Sequence, residues 1–176
     1  MSGARIAIVG IVMSALIAGA ALYYLQVYAY YTEVDAADAQ VELTSVVTGE
    51  AEPIIYDSFS AIDSDSSPIR YRACFTTVLS QAMLTETYVI VDEAEPRVAP
   101  DWFDCFDASQ IGADLETGEA LAFLGTENIH YGIDRIVAVY PDGRAYAWHQ
   151  INACGAVVFD GNPAPEGCPS QLESQN

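Results

Sequence analysis

Residues 6–25 read IAIVGIVMSALIAGAALYYL, without a charge or a proline. At about 1.5 Å per residue, twenty helical residues span roughly 30 Å, the thickness of a bilayer's hydrocarbon core. The stretch is read as a membrane-spanning helix, and it divides the chain into an anchor and a single domain. Tyr23, Tyr24, Tyr28, Tyr30 and Tyr31 gather at its far end, where amphipathic rings favour the lipid–water interface. The span with this tyrosine-rich end is assigned to residues 6–31, behind a short cytoplasmic segment, residues 1–5.

Orientation follows from the flanks. Arg5 precedes the helix, while Glu33, Asp35 and Asp38 follow it, so the N-terminus is expected in the cytoplasm of a bacterial inner membrane and the domain in the periplasm. Ala18-Gly19-Ala20 would satisfy the small-residue rule of a cleaved signal. The apolar run exceeds the 7–15 residues of an ordinary signal core, and the anchor is expected to be kept. Gly3, Ala7, Gly10, Ser14 and Ala18 recur at three- and four-residue spacing, with Ile6, Ile8, Val9, Leu16 and Leu22 mostly off that stripe. Small residues let helix backbones approach closely in lipid, which makes the stripe a candidate docking face for an integral membrane complex. Small residues are also common in such helices for no specific reason.

All 25 acidic residues and five of the six basic ones lie beyond the anchor, a net charge of −20 there. All six basic residues are arginines. That field repels nucleic acid and anionic lipid headgroups and attracts cationic partners, a soluble cytochrome c among them. It also serves simply to keep a domain soluble. Cys74, Cys105, Cys154 and Cys168 form an even set without CxxC spacing, which excludes a zinc ribbon, a thioredoxin-type pair and a haem attachment site. Two structural disulfides are expected. Of the three pairings, Cys74 with Cys105 and Cys154 with Cys168 is favoured, because the second pair closes a short loop rich in glycine and proline.

About 144 residues remain beyond Thr32, enough for one domain with a core. Residues 32–40 read as an acidic linker, 41–154 as an α+β domain, and 155–176 as an extended Gly/Pro-rich tail. Strands are expected at 41–48, 54–62, 69–75 and 88–91, with a short helical turn somewhere in 76–84. Ile111, Leu115, Ala120, Leu121 and Phe123 have helical spacing, placing the main helix at 108–124 in spite of Gly112 and Gly118. Residues 133–140 and 145–152, joined by Pro141-Asp142-Gly143-Arg144, make the clearest hairpin. The fold class is α+β: one transmembrane helix, then a small antiparallel sheet of about five strands with one main helix, stapled by disulfides.

Catalytic patterning is sparse. His130 and His149 lie outside any GxSxG or HExxH setting, and both read as structural or surface residues; His149, beside Trp148, is the better ligand candidate. Asp63-Ser-Asp65-Ser-Ser67 begins like a calcium loop, but Pro68 and Cys74 stand where an EF-hand needs glycine and glutamate. No metal or cofactor site is expected. Arg70 and Arg72 alternate along an expected strand and form a candidate anion or ion-pair site, with carboxylates as their ordinary partners.

DSDSSPIRYRACF at Asp63–Phe75 and WFDCFDA at Trp102–Ala108, behind a short N-terminal anchor, resemble an uncharacterised family of single-pass alphaproteobacterial membrane proteins with an exported domain. Members are sometimes labelled histidine kinase, but this chain lacks the ATP-binding glycine boxes. The resemblance implies no catalytic residues. The expected function is a non-catalytic accessory subunit of an inner-membrane, respiratory or photosynthetic electron-transfer complex. The alternatives are a transient assembly or quality-control factor for such a complex, and a periplasmic hydrolase built from carboxylates and His149.

Overall fold

The apolar run at the N-terminus folds as one helix in the computed structural model, which describes residues 3–37 and 39–169. Met1 and Ser2 of the expected cytoplasmic segment, Asp38 of the juxtamembrane acids and residues 170–176 of the expected tail lie outside the described residues. The chain divides into two compact units, Met1–Thr32 and Glu33–Asn176. In the first, α1 (Gly3–Tyr24) passes into a π-helical turn, Leu25–Ala29, and none of its residues is buried. The 27 residues Gly3–Ala29 are long and apolar enough to cross a membrane. Near the end of the helix the Tyr28 ring stacks on Tyr24 and meets Tyr23 edge-on.

The domain's elements follow in chain order: β1 (Thr32–Val34), β2 (Glu42–Thr44), β3 (Ala51–Pro53), β4 (Asp57–Asp63), β5 (Arg72–Thr76), α2 (Gln81–Thr87), α3 (Ala108–Thr117), β6 (Leu121–Leu124), β7 (Ile133–Val139), β8 (Arg144–Ile151) and α4 (Ala153–Phe159). Six strands form one antiparallel sheet in the order β1-β4-β5-β8-β7-β6, and β2 pairs with β3 in a second. The centre is the expected hairpin. Gly143 takes φ +87° at the end of its three-residue turn, and Tyr140 and Arg144 pair across it. A side chain at that left-handed position would be strained.

Alternation along the strands gives the sheet two faces. Ala73, Phe75, Phe123, Val137, Val139, Ala145 and Ala147 point to one, where they pack with Val41, Leu43 and Ile54 from the small sheet's neighbourhood and with Leu84 and Tyr88 from α2 and its C-terminal end. Cys74, Ile136, Ala138, Tyr146 and Trp148 point to the other. That face is covered by the irregular segment 92–107 and by α3, with Phe106 edge-on to both Tyr146 and Trp148. Both disulfides join the favoured partners, Cys74 to Cys105 and Cys154 to Cys168. In the chain-entropy account each contributes about 3–4 kcal/mol.

Several element boundaries differ from expectation. The helix expected over 108–124 stops at Gly118, whose φ of +78° caps α3, and Leu121–Leu124 turns into strand β6. Residues 54–62 divide: Ile54–Tyr56 turn the chain, and β4 carries a register shift where Ser58 adopts φ +54°. The strand expected at 69–75 begins only at Arg72, because Ser67-N–H to Ser64 and Arg70-N–H to Ser67 bonds wind the preceding residues into turns. Of 41–48 only Glu42–Thr44 is strand. Tyr88–Val91 contributes single bridges, to Ser45 and Phe123, and so fills the gap between β6 and β2. Thr32–Val34, expected as linker, forms β1. The start of the expected extended tail is helical, since the Asn152 side chain caps α4 by accepting from the Gly155 N–H. A Cβ at Gly155 would collide with the Gly132 carbonyl, so α4 sits backbone to backbone on the loop before β7.

Candidate functional site

Register in the β7–β8 hairpin sets Arg135 opposite His149. His149 is 1% exposed and stacks on Tyr71 at 4.7 Å between ring centroids. Its Nδ1 lies 2.6 Å from the Pro68 carbonyl oxygen, which can only accept, and its Nε2 accepts from Arg135 Nε at 3.1 Å. The ring is therefore the neutral Nδ1–H tautomer. Burial, reinforced by the Arg135 charge, lowers its pKa to about 3. Arg135 also lies over the Tyr71 ring at 4.1 Å and donates to the Gln40 carbonyl. Burial raises the Tyr71 phenol, and the guanidinium partly offsets that rise. His130, exposed, meets His149 edge-on at 5.9 Å. This cluster ties the 63–70 turns and residue 40 to the sheet. With both ring nitrogens of His149 occupied, it offers structure more readily than a free base.

On the opposite face Arg72, 4% exposed, donates Nε to the Arg97 carbonyl at 2.6 Å, Nη2 to Val98, and Nη1 to Ile69 and Tyr71. Its guanidinium lies 5.8 Å from the Phe106 ring centre. Arg72 thus clamps the segment 92–107 to the strand that also carries Cys74. Arg70 precedes the strand, so the two arginines do not share a strand face as expected.

Above this face the segment 92–119 carries two adjoining hollows, of about 290 and 540 Å³, both lined in part by Ala108 and Ser109. Asp101, Asp104 and Asp107 line the smaller, and Asp92, Glu95 and Glu116 the larger. Asp107 already accepts from the Ser109 and Gln110 N–H groups as the cap of α3. Asp114 is buried, accepting from Tyr140 at 2.7 Å and from Gln110 at 2.8 Å; burial and this bond raise the Tyr140 phenol. Among the described residues no three His, Cys, Asp or Glu are grouped to hold a metal ion. In the would-be calcium loop, Asp63 accepts from the Ser64 N–H and the Ser64 and Ser66 hydroxyls pair, an arrangement of side-chain-capped turns.

The stripe residues Gly3, Ala7, Gly10, Ser14 and Ala18 all lie on α1 and are exposed. Nothing lies within 4 Å of a Cβ built on Gly3 or Gly10, and the Ser14 hydroxyl bonds back to the Ile11 carbonyl. Sequence reasoning missed the Arg72 clamp and the Tyr140–Asp114 bond, which join residues far apart in the chain. It also missed the Arg135–His149 pair, for which the hairpin was the available signal once its turn length is known.

Residues 41–169 match the model of a family of unknown function, DUF6446. The chain belongs to this family. The match covers both disulfides, the Arg72 clamp and, apart from Gln40, the His149 cluster, and starts after α1, so the DUF6446 signature resides in the domain. No curated protein and no solved structure matches the chain.

Proposed function

We propose that this DUF6446 protein is a non-catalytic accessory subunit of an inner-membrane complex. In this reading α1 is a retained single-pass anchor, the N-terminus is cytoplasmic and the domain periplasmic, as in the single-pass alphaproteobacterial proteins that the chain resembles. The host complex is one of respiratory or photosynthetic electron transfer. The observation that carries the reading is the concentration of carboxylates around the two hollows of segment 92–119, on a domain joined to an apolar helix. Acidic surface of this kind recruits a cationic partner such as a soluble cytochrome c by long-range attraction, which weakens with salt. The occupied nitrogens of His149 favour this reading over a hydrolase.

The test is solubilisation of the native membrane in mild detergent, followed by native electrophoresis. A resident subunit migrates with a larger assembly at stoichiometric abundance; migration of the protein alone would sink the proposal, and substoichiometric association would point to an assembly factor. Gly10→Leu or Ser14→Leu should release the protein from that assembly without changing the domain's denaturation midpoint. Retained association would move the interface to the domain.

A further inference from the structure

The two disulfides are not equivalent, and the difference lies in their surroundings. Cys105 is exposed and lines a hollow of about 270 Å³ together with Trp102, Asp104 and Ser60. Its partner Cys74 is 8% exposed and lies on the sheet. Two residues along β5 and on the same face is Arg72, its α-carbon about 7 Å from that of Cys74 by strand geometry, with its side chain buried. The bond therefore presents an exposed cysteine to an incoming thiolate, on a segment that lies outside the sheet. Cys154 and Cys168 are both half-buried, flanked by Ala153, Gly155, Gly167 and Pro169, with no cation in either flank.

What the first bond restrains is also particular. Between the Arg72 clamp at Arg97 and Val98 and the α3 cap at Asp107, the segment contains neither helix nor strand. Beneath it lies Trp148, fully buried, with Phe103 and Phe106 pressed toward the sheet.

We propose that Cys74–Cys105 is a redox latch: its reduction by an exported dithiol lets residues 98–107 swing away from the sheet while the domain stays folded. The chemistry balances as ordinary exchange. A thiolate of the dithiol attacks Cys105 Sγ, forming a mixed disulfide; the Cys74–Cys105 bond breaks, and Cys74 leaves as a thiolate that takes up a proton. The second thiol of the reductant then attacks the mixed disulfide and releases Cys105. Two electrons pass to the protein, and the dithiol becomes a disulfide. The proposal is independent of the accessory-subunit reading.

The experiment uses the full-length protein in mild detergent, with dithiothreitol as the neutral dithiol. Aliquots are quenched with an alkylating agent and mapped by peptide mass spectrometry, alongside limited proteolysis and far-ultraviolet circular dichroism. The expected result is reduction of Cys74–Cys105 at least about ten-fold faster than Cys154–Cys168. New cleavage should appear within residues 98–107, the far-ultraviolet spectrum should be unchanged, and reoxidation should restore resistance. Equal rates, prior reduction of Cys154–Cys168, reduction without new cleavage, or loss of the far-ultraviolet signal would each overturn the latch.

Discussion

The two faces of the six-stranded sheet are covered by different physics. One is sealed by regular elements and apolar burial, with Leu43, Leu84, Phe123 and Val137 fully enclosed. The other lies under a segment without regular structure between residues 92 and 107, held by Arg72, one disulfide and a few aromatic contacts. Burial spread over many side chains gives a face that loses stability as a whole. A face held at a few points can be opened where it is held.

Phe123→Ala should break this comparison on the first face. Loss of a fully buried ring costs about 3–5 kcal/mol, and chemical denaturation should show one cooperative transition at lower denaturant, because this core is shared by both layers. Arg72→Leu acts on the second face. It leaves the Arg97 and Val98 carbonyls without their donor, at a cost of about 3 kcal/mol. Hydrogen exchange should accelerate over residues 93–107 well before the β7 and β8 amides respond; uniform acceleration would show that the cover is not a separate unit.

The smallest expected effect sharpens the contrast through pH. The folded pKa of His149, about 3, lies below its ordinary value of 6.5, so the unfolded chain binds the proton more readily. This group's contribution is complete above about pH 6.5 and is lost as pH falls toward 3, with a slope approaching 1.4 kcal/mol per pH unit once the unfolded histidine is protonated. Denaturation midpoints between pH 7 and 5.5, above the main carboxylate range, should fall in the native chain and flatten in His149→Gln. Equal slopes in the two proteins would show that His149 is not the group responsible.

What the sequence made legible was local. The apolar N-terminal helix, the hairpin and the disulfide partners rest on continuous hydropathy, a Pro-Asp-Gly turn and short-loop closure. The missed features depend on where distant segments meet. Gly118 ends α3, and Leu121 and Phe123, two residues apart, follow the alternation of a short strand and not the four-residue spacing of Ile111 and Leu115. Tyr88–Val91 looks like any strand but supplies only bridging pairs between two sheets. Arg72 was legible as a cation seeking partners. That carbonyls from residues 97 and 98 would satisfy it depended on a loop path with no periodicity to betray it.

The outermost strand of the sheet, β1, is three residues long. Proteins confined to a membrane meet one another at high local concentration, and a long bare strand there would be a template for lateral zippering into aggregates. A three-residue border offers too few backbone groups to start that process, and the β6 border is occupied by Tyr88–Val91. Copies of this domain crowded side by side, as the proposed anchor would hold them, therefore resist growing their sheets into one another.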